Sequence, residues 1–276
     1  MFQERRQGRL SPGESQRSAL IVAWRQEPGA VGPDVVRSLR RHFGLDTAAE
    51  IEPTDFFSLE GVAIRNDVIQ FPVSRFYTCG QSGPLVFLSD APEANHYEFL
   101  SKLLDTATDR FGVTELYTVG AVISAISHIS PRRVFGIVNR PELIPRILES
   151  GVVTGMDYET PHGGGTSISN FLLWLAKVRG LAGCSLWVEI PFYLAATVDP
   201  MASKRMMEAL DKGLHLNVDL RAMDIPIAET NQRLYELRTQ NKEVARCLEL
   251  LERGIMLSDE ESRTLAAEVI RFLHRR

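Results

Sequence analysis

Residues 19–33 read Ala19-Leu20-Ile21-Val22-Ala23-Trp24-Arg25-Gln26-Glu27-Pro28-Gly29-Ala30-Val31-Gly32-Pro33. The first six are apolar without a break. A strand exposed on one face alternates polar and apolar side chains, whereas a strand covered on both faces has no need to. The run therefore predicts an interior strand of a sheet with helices above and below it. The loop with Pro28, Gly29 and Gly32 breaks the extended chain. Pro33 then fits the first turn of a helix that ends at Phe43-Gly44, where glycine readily takes the left-handed conformation that stops a helix.

The pattern repeats outward from this stretch. Residues 49–51 and 62–64 read as short strands, and 68–72 as another, placed at an edge by Pro72. A buried strand at 85–88 leads into a helix from 94 to 111. Strands at 116–119 and 134–138 follow, then a helix at 142–149, a helix from 167 to 179, a strand at 185–190 and a helix at 202–213. Strands that alternate with helices predict α/β layering. From Pro226 the character changes. Residues 227–253 read as one long helix stopped by Gly254, and 259–274 as a second. Leu234, Leu237, Val244, Leu248 and Leu251 recur at steps of three and four, with Asn241 in the remaining slot, which is a heptad register with one polar position. Such a stripe serves either a partner (another protein or a second copy) or its own domain, and the pattern alone leaves both open. The expected division is a tail at 1–17, an α/β core at 18–222 and a two-helix extension at 223–276.

The 276 residues suffice for one large α/β domain with an appendage, and 44% hydrophobic content supports a sizeable core. A net charge of −4 gives no general attraction to nucleic acid or anionic membrane. The three cysteines, Cys79, Cys184 and Cys247, are far apart and form no CxxC or Cys/His cluster. Neither a metal site nor a disulfide framework is expected, and free thiols fit a cytoplasmic location. Residues 1–17 are polar, carry arginines and lack an apolar core, so they read as a mobile tail rather than a signal peptide. No run approaches the ~18 apolar residues of a membrane span.

Three places attract attention as chemistry. The loop from Trp24 to Pro33 follows a strand, as phosphate loops do, yet it is neither GxGxxG nor GxxxxGK[ST]. Pro33 removes an N–H and Asp34 sets a negative charge where an anion would sit, which favours a structural turn. The second place is His162-Gly163-Gly164-Gly165-Thr166-Ser167. No carboxylate lies between Pro161 and Asn170, so Gly163, Gly164, Gly165, Thr166 and Ser167 form an anion-binding candidate at a helix start. Ser167 as a nucleophile, with His162 or His128 as base, is the weaker reading, because no GxSxG elbow occurs. Thr166 or Ser167 as helix cap is the stronger one. The third place is the set Asp90, His128 and Glu189 near strand ends, where open sheets hold ligands. These converge only if their strands are neighbours, and structural pairing is the simpler expectation.

Several segments occur in an order shared with a known family. They are Val22-Ala23-Trp24 through Gly29 and Gly32; Glu52-Pro53 with Asp55-Phe56-Phe57; Arg75-Phe76-Tyr77; Leu116-Tyr117-Thr118-Val119-Gly120-Ala121; and His128 with Pro131-Arg132 and Val134-Phe135-Gly136. The helix start at Gly165 follows, then Ser185-Leu186-Trp187-Val188-Glu189-Ile190-Pro191 with Tyr193-Leu194. Together, over residues 18–222, they resemble the proteasome assembly chaperone type-two family in its prokaryotic form. The resemblance implies a three-layer α/β/α body with a mixed sheet, of phosphorylase/hydrolase-like topology, and a homo-oligomer, often a trimer. Eukaryotic and archaeal relatives help assemble proteasome α rings, so proteasome subunits are among the implied partners. The family often has histidine where Phe192 stands, which weighs against an enzyme. Some archaeal relatives dock through a C-terminal hydrophobic-Tyr-any tail, and Phe272-Leu273-His274-Arg275-Arg276 lacks that tyrosine. The expected function is a non-catalytic homo-oligomeric scaffold or assembly chaperone, without cofactor. The alternative is an enzyme or sensor that binds a small anionic or nucleoside-like ligand near Gly165.

Overall fold

The computed structural model describes residues 18–58, 62–79, 83–156 and 167–274. The expected tail at 1–17 and the glycine run 163–165 with Thr166 lie outside the described residues. The first run is strand β1, Ser18–Trp24, at the centre of a seven-stranded sheet of order β2-β5-β6-β1-β7-β9-β8. Its companions are β2 (Asp46–Ile51), β5 (Ser74–Thr78), β6 (Leu85–Ser89), β7 (Val113–Ser124), β8 (Val134–Val138) and β9 (Ala182–Pro191). β1 runs parallel to β6 and β7, and β7 parallel to β9. β5 and β8 run antiparallel to their inner neighbours, so the sheet is mixed.

Both faces are covered. Ala19, Ile21 and Ala23 of β1 face one core with α1 (Val31–Phe43) and α5 (Pro200–Leu214), joined by Ile147 of α3 (Ile144–Glu149). Leu20, Val22 and Trp24 face the other, beneath α2 (His96–Asp105) and α4 (Ile168–Val178). This alternation within an unbroken apolar run is the covered strand that the sequence predicts. The Trp24 indole N–H donates to Ser169 Oγ of α4 at 2.9 Å, so the one polar atom of the ring is satisfied. Gly44 stops α1 at φ 63°, with its N–H donating to the Arg40 carbonyl. Gly32 lets α1 lie close on β1, because a Cβ there would stand 2.7 Å from the Trp24 carbonyl oxygen.

Two expectations need correction. Residues 62–72 do not join the main sheet. Strands β3 (Ala63–Arg65) and β4 (Val68–Gln70) form a separate antiparallel hairpin. Its turn residues Asn66 and Asp67 both have positive φ, the geometry that suits the strand twist in a two-residue turn. The long C-terminal helix is also interrupted. Helix α6 (Asp224–Gln240) ends at Asn241, which is extended at φ −130° and ψ 108°. α7 (Lys242–Glu252) restarts there, and α8 (Asp259–Leu273) follows. Among its described residues the extension therefore holds three α-helices. Asn241 is the cap of α7 rather than a polar heptad core position, since its side chain accepts from the Glu243 and Val244 N–H groups.

Candidate functional site

Strand order at β1 reverses: the chain passes to β6 on one side and β7 on the other. Ligands of open α/β sheets bind at the carboxyl ends of strands at such a switch point. Here the residues after β1 reach to both sides. Gln26 donates to Asp90 Oδ1 beyond β6 at 2.8 Å and accepts from the Ala91 N–H. Glu27 turns the other way, and its Oε2 accepts from the Ala121 N–H of β7 at 3.0 Å. β1 ends at Trp24 while β7 runs on to Ser124, so the Glu27 carboxyl takes up an amide that β1 no longer pairs. Gly120 makes room for the Trp187 ring, as a Cβ there would lie 2.5 Å from Trp187 Cδ1 and 3.3 Å from Glu27 Oε2. Burial raises the Glu27 carboxyl to about 7, opposed by the Ala121 hydrogen bond. Burial also raises Asp90, against the pull of Arg25. A carboxyl poised near neutrality at a switch point is the arrangement most suggestive of proton transfer in this chain. Among the described residues, however, no nucleophile is hydrogen-bonded to it.

Asp90, His128 and Glu189 do not form one site. β1 and β7 stand between β6 and β9, so Asp90 and Glu189 are three strand spacings apart, roughly 14 Å. Each has its own partners. Glu189 accepts a bidentate pair from Arg133 Nε and Nη2, both at 2.7 Å, and a bond from Ser124 Oγ at 3.3 Å. The Arg133 hydrogen bonds hold its carboxyl below the ordinary range. His128 belongs to a buried network. The Tyr193 hydroxyl accepts from the His128 backbone N–H at 2.6 Å and lies 3.0 Å from the ring Nδ1. The hydroxyl either donates to Nδ1 or accepts from it, according to the ring tautomer. Arg132 donates to the His128 carbonyl and, through Nε and Nη2, to Asp199 Oδ2 at 3.2 and 3.1 Å. The Arg132 and Asp199 side chains are each 1% exposed. Asp199 Oδ1 meanwhile accepts from the Ala202 N–H and caps α5. Burial, with Arg132 and Arg238 nearby, pushes His128 down to about 4, and burial raises the Tyr193 hydroxyl.

Ser167 caps α4, accepting from the Asn170 N–H at 3.2 Å, the role that the sequence favours over a nucleophile. The other four residues of the anion-binding candidate, Gly163, Gly164, Gly165 and Thr166, lie outside the described residues. Leu234, Leu237, Val244, Leu248 and Leu251 are buried within the chain. They pack with Leu265 and Val269 of α8 around Tyr193 and Leu194, which sit in the turn after β9. Of the two readings of the stripe, the structure shows packing on its own protomer. Sequence reading singled out neither Glu27 nor the Arg132–Asp199 pair. Asp199-Pro200 is a recognisable helix start, but nothing in the pattern links it to an arginine 67 residues away. Among the described residues no three His, Cys, Asp or Glu side chains cluster as metal ligands.

The PAC2 family model matches residues 25–238. The chain belongs to the PAC2 family. No curated protein matches it. Solved structures share the fold. A Mycobacterium tuberculosis proteasome-assembly chaperone homologue is 17% identical with a TM-score of 0.71, over 83% of this chain and 99% of that one. Pyrococcus furiosus PbaB, an archaeal proteasome activator, is 25% identical with a TM-score of 0.64, over 80% and 93%. A second M. tuberculosis protein, of unknown function, is 20% identical with a TM-score of 0.70, over 99% and 96%. That last likeness extends the shared fold through the C-terminal helices, beyond the PAC2 match. Among the described residues no helix is long and apolar enough to cross a membrane.

Proposed function

We propose that this PAC2 protein is a chaperone-like scaffold that binds other protein chains as a homo-oligomer, a trimer by family resemblance, and does not catalyse. The observation that carries this reading is the β3–β4 hairpin. Ile64 and Ile69 pair across it and so share one face, and they are 77% and 60% exposed. Val68 and Phe71 add 59% and 49%. A lone two-stranded hairpin is marginal in water, and contiguous exposed apolar side chains mark protein-contact surfaces. The polar groups at the strand ends support the same reading. Gln26, Glu27, Asp90, Glu189 and Asp199 hold loops and strands together rather than project toward a substrate. The stripe of α6 and α7 is spent inside the protomer, which leaves association to surfaces such as the hairpin. Proteasome subunits are the partner class suggested by the structural neighbours, in a cytoplasmic setting that suits Cys79, Cys184 and Cys247, none of which is in a disulfide.

One observation keeps a second reading in view: the α4 start capped by Ser167 has no acidic residue in its first turn, which suits an anionic ligand. Native mass spectrometry of the protein isolated from its host separates the two. A homo-oligomer that carries a second protein is the expected result. A homo-oligomer that carries a stoichiometric small molecule, and no protein, would move the function to the Gly165 loop.

A further inference from the structure

Two apolar patches stand apart on the surface of one protomer. The first is the β3–β4 hairpin, where Ile64 and Ile69 pair on one face and exposed Phe71 follows two residues on. The second is the outer side of α4. Phe171, Trp174 and Val178 recur there at steps of three and four, so they stand in one row along the helix. Trp174 is 52% and Val178 63% exposed. Trp24 is buried and Trp187 half-buried, so Trp174 is the exposed tryptophan of the three. Its ring stacks on Phe171 with 5.7 Å between centroids and 21° between planes, which makes a flat aromatic platform. Exposed tryptophan of this kind is the side chain most enriched at the centres of protein contacts.

We propose that the hairpin of one copy docks on the α4 row of a second copy, a head-to-tail contact that repeats around a closed ring. The inference rests on the hairpin as an association surface and names what that surface meets. Dimensions, charge and position choose the occupant. From Phe171 to Val178 the row spans about 10 Å of helix. From the Ile64–Ile69 pair to Phe71 the hairpin face runs about 7 Å. α4 contains no acidic residue and carries exposed Lys177 in its last turn, whereas the hairpin turn carries exposed Asp67. Among the described residues neither of these two charges has an ion-pair partner. An acid at the tip of one patch and a base at the end of the other suit each other across a contact.

Position excludes closure within one chain. Phe71 lies three residues before β5, whereas α4 packs on β7 and β9. β5 and β9 are four strand spacings apart, roughly 19 Å. Area then favours hairpin against helix over hairpin against hairpin. Each patch is only a few side chains wide, against the ~800 Å² per partner of a stable complex. A hairpin that meets its own copy uses one patch once and leaves Trp174 and Val178 in water. A hairpin that meets α4 uses both patches on every copy, and in a closed ring each protomer makes the contact twice.

Light scattering on full-length variants tests the pairing. The double variant Ile64→Asp, Ile69→Asp spoils the hairpin and leaves the α4 row intact, and Trp174→Glu does the reverse. Each alone should fall to the protomer mass at a concentration where the wild type is an oligomer. Mixed in equal amounts, they should rise to twice the protomer mass as concentration is raised. The intact row of one accepts the intact hairpin of the other, and no ring can close. If Trp174→Glu is unfolded by circular dichroism, Val178→Glu, at a more exposed position, takes its place. A folded α4 variant that keeps the wild-type mass would overturn the pairing and leave the hairpin as an association surface. A mixture that stays at the protomer mass would do the same. A hairpin variant that keeps the wild-type mass, or a monomeric wild type, would overturn both.

Discussion

Asp199 shows how one side chain is tied into two structures at once. One carboxylate oxygen caps α5 and the other receives two bonds from Arg132, both side chains being out of solvent. Asp199→Ala leaves a guanidinium buried without its counter-charge. A loss of about 3–5 kcal/mol is expected in urea unfolding, well beyond the ~1 kcal/mol of a lost cap alone. Glu27 makes the opposite kind of prediction. Its carboxyl is raised to about 7 in the folded protein, against 4.5 for the free side chain. The folded state holds its proton longer, so stability falls as pH rises from 4.5 through 7. Glu27→Gln keeps an acceptor for the Ala121 N–H and cannot ionise. It should raise the melting temperature at pH 8, by the equivalent of on the order of 1–3 kcal/mol, and leave it unchanged at pH 4. The reverse order would show that the Glu27 carboxyl is ionised and paired.

Among the elements, α6 and α7 separate what the sequence can say from what it cannot. A periodicity argument reads through Asn241 because the leucines on either side keep heptad spacing. Asparagine suits a polar core position and a helix cap alike, and only the backbone at φ −130° decides for the cap. Asn241→Leu separates the two roles. If Asn241 filled a heptad core, leucine there would stabilise and favour association. As a cap, its loss should cost roughly 1 kcal/mol with no change of mass by light scattering. The strands divide in the same way. β1 was legible because a continuous apolar run has one comfortable place in a layered fold, and α1 because Gly44 marks its end. The hairpin was legible as two strands but not as a separate ribbon, since alternation states that a segment is extended and not which sheet it joins. The buried network was illegible for a simpler reason. Arg132, Tyr193 and Asp199 meet only after β9 has paired with both β7 and β8.

On the scale of the whole molecule, the fold puts its chemistry to structural use. Two cores flank one sheet, and a third joins the C-terminal helices to the turn that follows β9. Charged groups at the switch point and at the seam hold these layers in register. Glu27 and His128 titrate with opposite signs. Stability lost by Glu27 as pH rises is offset by stability gained by His128 over the shared range between about 4.5 and 6.5. Global stability should therefore be nearly flat there and decline outside it. A steep slope within that range in thermal unfolding would contradict the assignment of either group. The β3–β4 face is among the apolar surfaces that the layers leave uncovered, and the scaffold reading depends on it. Substitution of exposed side chains should move folding stability by no more than about 0.5 kcal/mol, so a charge placed there tests binding rather than folding. The measurement is the mass in solution, by light scattering, of the wild type and of the double variant Ile64→Asp, Ile69→Asp at equal concentration. The account predicts an oligomer for the wild type and a smaller, fully folded species for the variant. An unchanged mass, with the variant equally folded and still able to retain the same partner protein, would contradict the role given to the hairpin.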